Sequence, residues 1–454
     1  MKKILVIILF IAIAAPAYGQ KTAGQQDVYS LEDCINLALR NNYDIKLSKS
    51  QVEYSGARVT QAFGTYLPSI SYNLGYRRNL NPEGPQKIEF GGVVFTQPAA
   101  SPNTYNMSAS ANYILFDGFQ REANYSLAQE NLDADIYNEK HTEQSVVSQI
   151  YEQYINVIKN SMIIKIRSEN LEQNKKELER IQAQYEAGAV PIGSVYAQET
   201  ELGNRELELV RAENDRNIAR AKLLTTMGLP PDAEAEFLES SLPQQIEDDE
   251  INAFRGRVGS MRAAINSAFD NRHDYAASES RIEAANSALT AARSGYFPTI
   301  SASGGWGWSN TEFAQFGELG RSYLSLNFQL PIFDNFMTHT QIQQGQLQVA
   351  QEQISQQKLE QDIRSSIQTA MLNLEAAEKS LHISETAVRS AEQNFNSARE
   401  RLHVGAATIT DYIQANTQYV TARINHVNAR YDYILARKMT LYSMGVLELY
   451  PGSE

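Results

Sequence analysis

The chain of 454 residues holds one cysteine, Cys34, which excludes an internal disulfide framework and any paired-thiol redox or metal motif. Cys34 itself reads as a small residue on a packed helix face. Positive charge is also short: 40 Lys and Arg against 53 Asp and Glu leave a formal net charge of −13. That is the wrong sign for non-specific nucleic-acid binding, which needs basic patches. After the first nineteen residues no apolar run reaches the ~20 residues that a membrane-crossing helix needs. A phosphate-cradling loop ending in lysine, a His-Glu-x-x-His and a Gly-x-Ser-x-Gly elbow are all missing. The six histidines, His141, His273, His339, His382, His403 and His426, show no close ligand spacing. No cofactor and no metal site is expected, and the chain does not read as an enzyme.

What is present begins with a leader. Lys2 and Lys3, an apolar run from Ile4 to Ala15 and the small-residue site Ala17-Tyr18-Gly19 form a secretory signal. Its removal takes the formal charge to −15. Further along, Ile367, Leu374, Leu381, Val388, Phe395 and Leu402 recur every seventh residue, with Ala370, Ala377, Ser384, Ala391 and Ala398 between them. A strict repeat of seven makes a long helix wrap around a partner. The stretch from Asn335 to Val404 contains no proline and stops at Gly405.

The chain is written twice. Ile35-Asn36-Leu37-Ala38 aligns with Ile265-Asn266-Ser267-Ala268, and Tyr66-Leu67-Pro68-Ser69 with Tyr296-Phe297-Pro298-Thr299, at a displacement of 230 positions. From Phe116-Asp117-Gly118-Phe119 against Phe333-Asp334-Asn335-Phe336 onward the displacement is 217, through Gly188 with Gly405 and Gly228 with Gly445. A second heptad ladder, Ile150, Val157, Ile164, Leu171, Leu178 and Tyr185, answers the first. Matching landmarks at a fixed period mark internal duplication. The change of displacement places the main length difference between Ser71 and Phe116.

The expected division is a leader over 1–19 and a first repeat over 20–228, with a strand pair in 69–116, a long helix over 118–187 and a returning helix over 192–227. A connecting region over 229–260, rich in proline and acid, precedes a second repeat over 261–446. That repeat has strands in 299–332, a long helix over 335–404 and a returning helix over 409–445, and a tail over 447–454 follows. Each repeat opens with one helix of about 35 residues, Leu31–Thr65 or Met261–Gly295, and Asp117 or Asp334 is placed as the N-cap of the long helix. Two short helices end to end equal one long helix, about 105 Å at 1.5 Å per residue. The economical body is therefore a rod or tube wall, with the connecting region as a belt midway along it.

Four short segments alternate apolar with small polar residues: Ile70–Tyr76, Tyr105–Leu115, Ile300–Trp308 and Leu324–Leu330. Alternation over about ten residues, with aromatics at the ends, is the pattern of transmembrane barrel strands. The aromatics placed at the membrane are Tyr72, Tyr76, Tyr105, Tyr113, Trp306, Trp308 and Phe328. Four strands cannot close a barrel, and open edges are not tolerated in lipid. The protein must therefore oligomerise: two copies give eight strands with a filled interior, three give twelve with room for a pore.

At this point the chain resembles the TolC-like outer-membrane efflux protein family over essentially its whole mature length. The nearest local match is Val404-Gly405-Ala406-Ala407-Thr408-Ile409-Thr410-Asp411-Tyr412-Ile413-Gln414-Ala415, similar to the family's periplasmic hairpin tip; Ala187-Gly188-Ala189-Val190-Pro191 is a looser copy. The resemblance implies a mainly α fold with a membrane β part. It implies a homotrimer whose 12-stranded barrel in the outer membrane continues into a periplasmic helical tunnel. The tunnel would dock by its tips onto a periplasmic adaptor and an inner-membrane pump, as the passive duct of a tripartite efflux or type I secretion system. It also implies a periplasmic gate. Asp411 matches the first gate acid, Gln414 stands where the second acid falls, Ala407 replaces a gate arginine, and Ser194 stands where other members carry Asp. The competing reading is a secreted coiled-coil structural or adhesive protein, which suits the heptads and acidity but not the four alternating strands or the duplication.

Overall fold

A computed structural model describes residues 27–97, 99–243 and 245–448; the leader and most of the tail lie outside these. Among the described residues no helix is long and apolar enough to cross a membrane. The chain opens with strand β1 (Asp27–Tyr29), helix α1 (Leu31–Asn41) and helix α2 (Tyr43–Gly64). Strands β2 (Ser69–Arg78), β3 (Gln86–Phe90), β4 (Val93–Gln97) and β5 (Asn103–Phe116) follow, then the long helix α3 (Gln120–Glu186) and α4 (Ile192–Thr226). Strand β6 (Ala235–Phe237) and helix α5 (Asp248–Val258) lead into α6 (Met261–Asn271), α7 (His273–Arg293) and β7 (Thr299–Asn310). Short helix α8 (Phe316–Leu319), β8 (Arg321–Gln329), the long helix α9 (Met337–His403) and α10 (Ile409–Ser443) complete the chain.

The opening helix of each half is broken, where the sequence reads as continuous. At Asn42 the backbone N–H still bonds Ala38, closing α1, while the side chain accepts from Asp44 and Ile45 N–H and so starts α2. The same side chain donates to the Thr226 carbonyl at 2.9 Å. Its counterpart Arg272 donates to the Ser443 carbonyl at 3.1 Å. Both breaks therefore clasp the end of the returning helix of their own half. The tight fit explains Gly228 and Gly445: a Cβ there would lie 2.7 Å from the Asn41 carbonyl oxygen and 2.9 Å from the Arg272 nitrogen.

The N-cap assignment also shifts. Phe119 and Phe336, not the aspartates, are the cap residues, both in the left-handed region (φ 68° and 64°), an uncommon place for a bulky side chain. Asp117 and Asp334 act from two positions upstream, accepting from the N–H of Arg121 at 3.2 Å and of Thr338 at 2.8 Å. The carboxylates still satisfy first-turn donors.

The connecting region is largely ordered. β6 pairs parallel with β1, and Tyr154 of α3 donates to the Leu238 carbonyl at 2.6 Å. Ile251, Phe254 and Val258 of α5 share one hydrophobic cluster with Ile363, Ile367 and Leu374 of α9, and Arg255 pairs with Glu378. A matching core joins Cys34, Ile35 and Ala38 of α1 to Val147, Ile150 and Tyr154 of α3, Leu223 of α4, its C-cap Met227, and Leu447. Both hydrophobic cores thus lie where the short helices meet, midway along the long ones. The heptads pack as expected at Ile367, Leu374, Leu381 and Phe395, all buried. The polar exception, Ser384, lies 3.1 Å from His426 Nδ1 on α10.

Strands β2, β5, β7 and β8 form one antiparallel four-stranded sheet in that order. Its register sets Leu74 beside Met107 and Trp308, Tyr72 beside Ala109 and Trp306, and Ala302 beside Leu326. Because side chains alternate in period two, the apolar positions of the four strands fall on one face, except Ile114, next to the bulge before Phe116, and Tyr323, opposite Gly305. Ser71, Ser110, Gly305, Ser303 and Ser325 lie on the other. The extra residues of the first half form a separate hairpin, β3–β4.

Candidate functional site

The two ends of the molecule carry the expected functional residues. At the helical tips, α3 and α9 end alike. Gly188 and Gly405 take φ +73° and +74°, and Ala189 and Ala406 N–H reach back to the Gln184 and Arg401 carbonyls at 2.8 and 2.7 Å. These six-to-one bonds close Schellman caps and reverse the chain within a few residues. Ala187, Ala189, Pro191, Val404, Ala406 and Thr408 are exposed, and Val190 and Ala407 half-buried.

The tips differ in how the returning helix starts. Pro191 is the N-cap of α4 and offers no side-chain acceptor. Thr408 caps α10 in a capping box: its hydroxyl accepts from Asp411 N–H at 3.2 Å, and Asp411 Oδ2 accepts from Thr408 N–H at 2.9 Å. Those bonds hold the Asp411 carboxyl below the ordinary aspartate range. Asp411 therefore serves the helix start whatever else it does. Asp411 and Gln414, three residues apart, are both exposed and share a helix face.

The opposite side of α10 is tied into α3 and α4 by polar contacts that sequence reasoning missed. Tyr412, its hydroxyl pushed up to about 12 by burial, accepts from Gln173 at 3.3 Å. Asn170 donates to Asn416 at 3.0 Å, both side chains buried. Arg205, paired with Glu201 and Glu208, donates to Thr417 at 2.8 Å. The only prior signal was a run of polar residues where a coiled-coil seam would be apolar.

At the far end of the sheet Tyr76 and Tyr105 pack at 5.0 Å between ring centroids. Trp308 lies near the same end of β7, and Phe328 sits opposite Ile300 toward the helical end. Tyr113 occupies the helical part of β5, and Tyr72 stands in the interior of β2. Trp306 shares the apolar face with them. Among the described residues no cluster of His, Cys, Asp or Glu could hold a metal ion.

The family described as Outer membrane efflux protein matches residues 34–229 and again 264–444, the two halves separately. Outer membrane efflux protein BepC of Brucella suis is 23% identical over 409 residues, 89% of this chain and 83% of that protein. Among solved structures, the outer membrane protein VceC of Vibrio cholerae superposes with a TM-score of 0.77 at 15% identity, covering 91% and 96% of the two chains. The CmeC outer membrane channel of Campylobacter jejuni gives 0.75 at 18% identity, covering 93% and 87%.

Proposed function

This chain belongs to the outer membrane efflux protein family, an outer-membrane channel component of efflux or secretion systems, and from that premise we propose how it builds its duct. Three copies close one barrel by pairing β2 of each with β8 of the next, twelve strands from three four-stranded sheets. The observation that carries this reading is the register, which gathers Ile70, Tyr72, Leu74, Met107, Trp306, Leu324 and Leu326 on one face, while among the described residues β2 and β8 have no outer neighbour. Lipid covers that face and water the Ser, Asn and Gly face, as in any barrel pore. The helical layer supports the same closure. Leu47 and Tyr54 on α2, and Leu347 and Ile354 on α9, are spaced by seven and more than half exposed, as two seams awaiting each other would be.

In this arrangement the helices form a tunnel in the periplasm and the tips around Gly188 and Gly405 meet a periplasmic adaptor and an inner-membrane pump. The family and its structural neighbours are channels and not enzymes; the duct is passive and its cargo is chosen by the pump. Exchange of Asn73 and Asn327, polar-face residues of the two edge strands, for cysteine tests the closure, since Cys34 is buried. A bis-maleimide should then give covalent dimers and trimers and nothing larger. A ladder beyond three, or no product from membranes, refutes it.

We place the periplasmic gate at Asp411 and Gln414, a ring of three carboxylates that favours cations at the narrow mouth. Because Asp411 also caps α10, two variants separate its roles. Thr408→Ala removes the cap at a cost of about 1 kcal/mol but keeps the charge, and Asp411→Asn removes the charge. In planar bilayers only Asp411→Asn should lower cation preference; equal behaviour of the two would take Asp411 out of the gate.

A further inference from the structure

Among the described residues, much of the apolar face of the sheet is bare. Leu324 is 87% exposed and Ile70 79%, yet Trp308, on the same face, is 2% exposed. What covers it is the segment between β7 and β8. Phe316 lies 4.4 Å from the Trp308 ring by centroid and Phe313 5.8 Å, with Phe313 also 5.9 Å from Tyr105. Gly320 lies against the other tryptophan, so closely that a Cβ would stand 2.6 Å from Trp306 Nε1. The segment is pinned in this fold by Asn310, whose side chain donates to the Ala314 carbonyl at 3.2 Å. Trp306, Trp308 and Tyr105 all point to the apolar side by register, so residues 311–320 bend outward over that side and away from the polar face.

We infer that residues 311–320 are an interfacial anchor, seated in the outer leaflet of the membrane on the lipid side of the barrel, and not a flap over the pore mouth. The inference rests on the barrel reading above, because the occupant follows from continuity with its lipid-facing surface. The segment presents Phe313, Phe316 and Leu319, 59%, 37% and 39% exposed, beyond the rings it covers. Glu312 precedes Phe313 and Glu318 lies between Phe316 and Leu319, both exposed, as suits the level where polar headgroups begin. Aromatic side chains favour that depth, with an apolar body and a wet edge. The mouth is then left to the other loop, which carries β3–β4.

The chain has only two tryptophans, so a single reporter is easily made. In a Trp306→Phe/Trp308→Phe background, Phe316→Trp reads the segment and Leu326→Trp reads the strand face. Both are reconstituted as trimers in phosphatidylcholine vesicles, brominated near the glycerol end of the acyl chain to reach Phe316→Trp and near its methyl end to reach Leu326→Trp. Phe316→Trp should lose at least half its fluorescence to the brominated lipid and little to aqueous iodide. Quenching by iodide alone, with Leu326→Trp quenched by lipid, overturns the anchor and leaves the barrel. If neither reporter feels the lipid, the barrel reading falls and takes the anchor with it. Should the tryptophan-free chain fail to assemble, a nitroxide on Phe313→Cys in the otherwise native chain gives the same answer. It should be more accessible to oxygen than to a nickel chelate, and the reverse order refutes the anchor.

Discussion

Leu326→Arg should abolish recovery of the assembled protein from membranes, while Ser325→Arg, one residue away, should leave assembly intact. Leu326 lies midway along β8, 71% exposed on the apolar face and paired with Ala302. An arginine at the depth of the bilayer centre costs roughly 2–4 kcal/mol on a barrel's lipid face. Trimerisation would impose that cost three times. Ser325 faces the polar side and shares a hydrogen bond of 2.6 Å with Ser303; losing it costs about 1 kcal/mol, and the new charge meets water. The measurement is the fraction of each variant that migrates as trimer after detergent extraction. Equal loss from both substitutions would mean that the two faces do not differ in solvent, which removes the lipid assignment.

Gly228→Val should be the most damaging single change in the helical part, lowering stability by about 2–5 kcal/mol from left-handed strain and overpacking together. Gly188→Val supplies the internal control. Both glycines take nearly the same backbone angle, φ +74° and +73°, but Gly188 has open space around its α-carbon while Gly228 abuts the Asn41 backbone. The control pays only the strain, about 1–2 kcal/mol. Thermal melting followed by helical circular dichroism should therefore separate the two clearly. Coincident melting curves would show that the contact between the returning helix and the break at Asn42 contributes nothing.

The features legible in the sequence were those written as local periods. Heptads at Ile367–Leu402, alternation at Tyr105–Leu115 and the displaced repeats each report a geometry that a few neighbouring residues determine. What escaped was decided by contacts far apart in the chain. The break at Asn42 depends on the Thr226 carbonyl 184 positions away, and nothing local announces the equivalent break at Arg272. The parallel pairing of β1 with β6 joins three-residue strands, too short to show a period. Phe119 and Phe336 in the left-handed region contradict their own propensity, so the register of Asp117 and Asp334 was misplaced by two residues. At the tips the glycine turns were plain to see, but the polar links of Tyr412, Asn416 and Arg205 were not. They join residues 212 to 246 positions apart, which no local period reports.

The position of the two hydrophobic cores gives the molecule a gradient of cooperativity. Tyr151, Tyr154, Ile150, Ile155, Leu223 and Tyr431, among the largest side chains fully out of water, all belong to the middle. Toward the tips, burial thins to single residues such as Ile181, Val195, Phe395 and Tyr412, joined by exchangeable amide and guanidinium bonds. Opening free energies follow buried contacts, so amide exchange rises from the middle outward. The tips should then exchange as a separate, weaker unit. In the tripartite arrangement proposed above, a partner at the tips would splay the helix ends by replacing a few polar bonds, with the central clasp of Asn42 and Arg272 as the pivot.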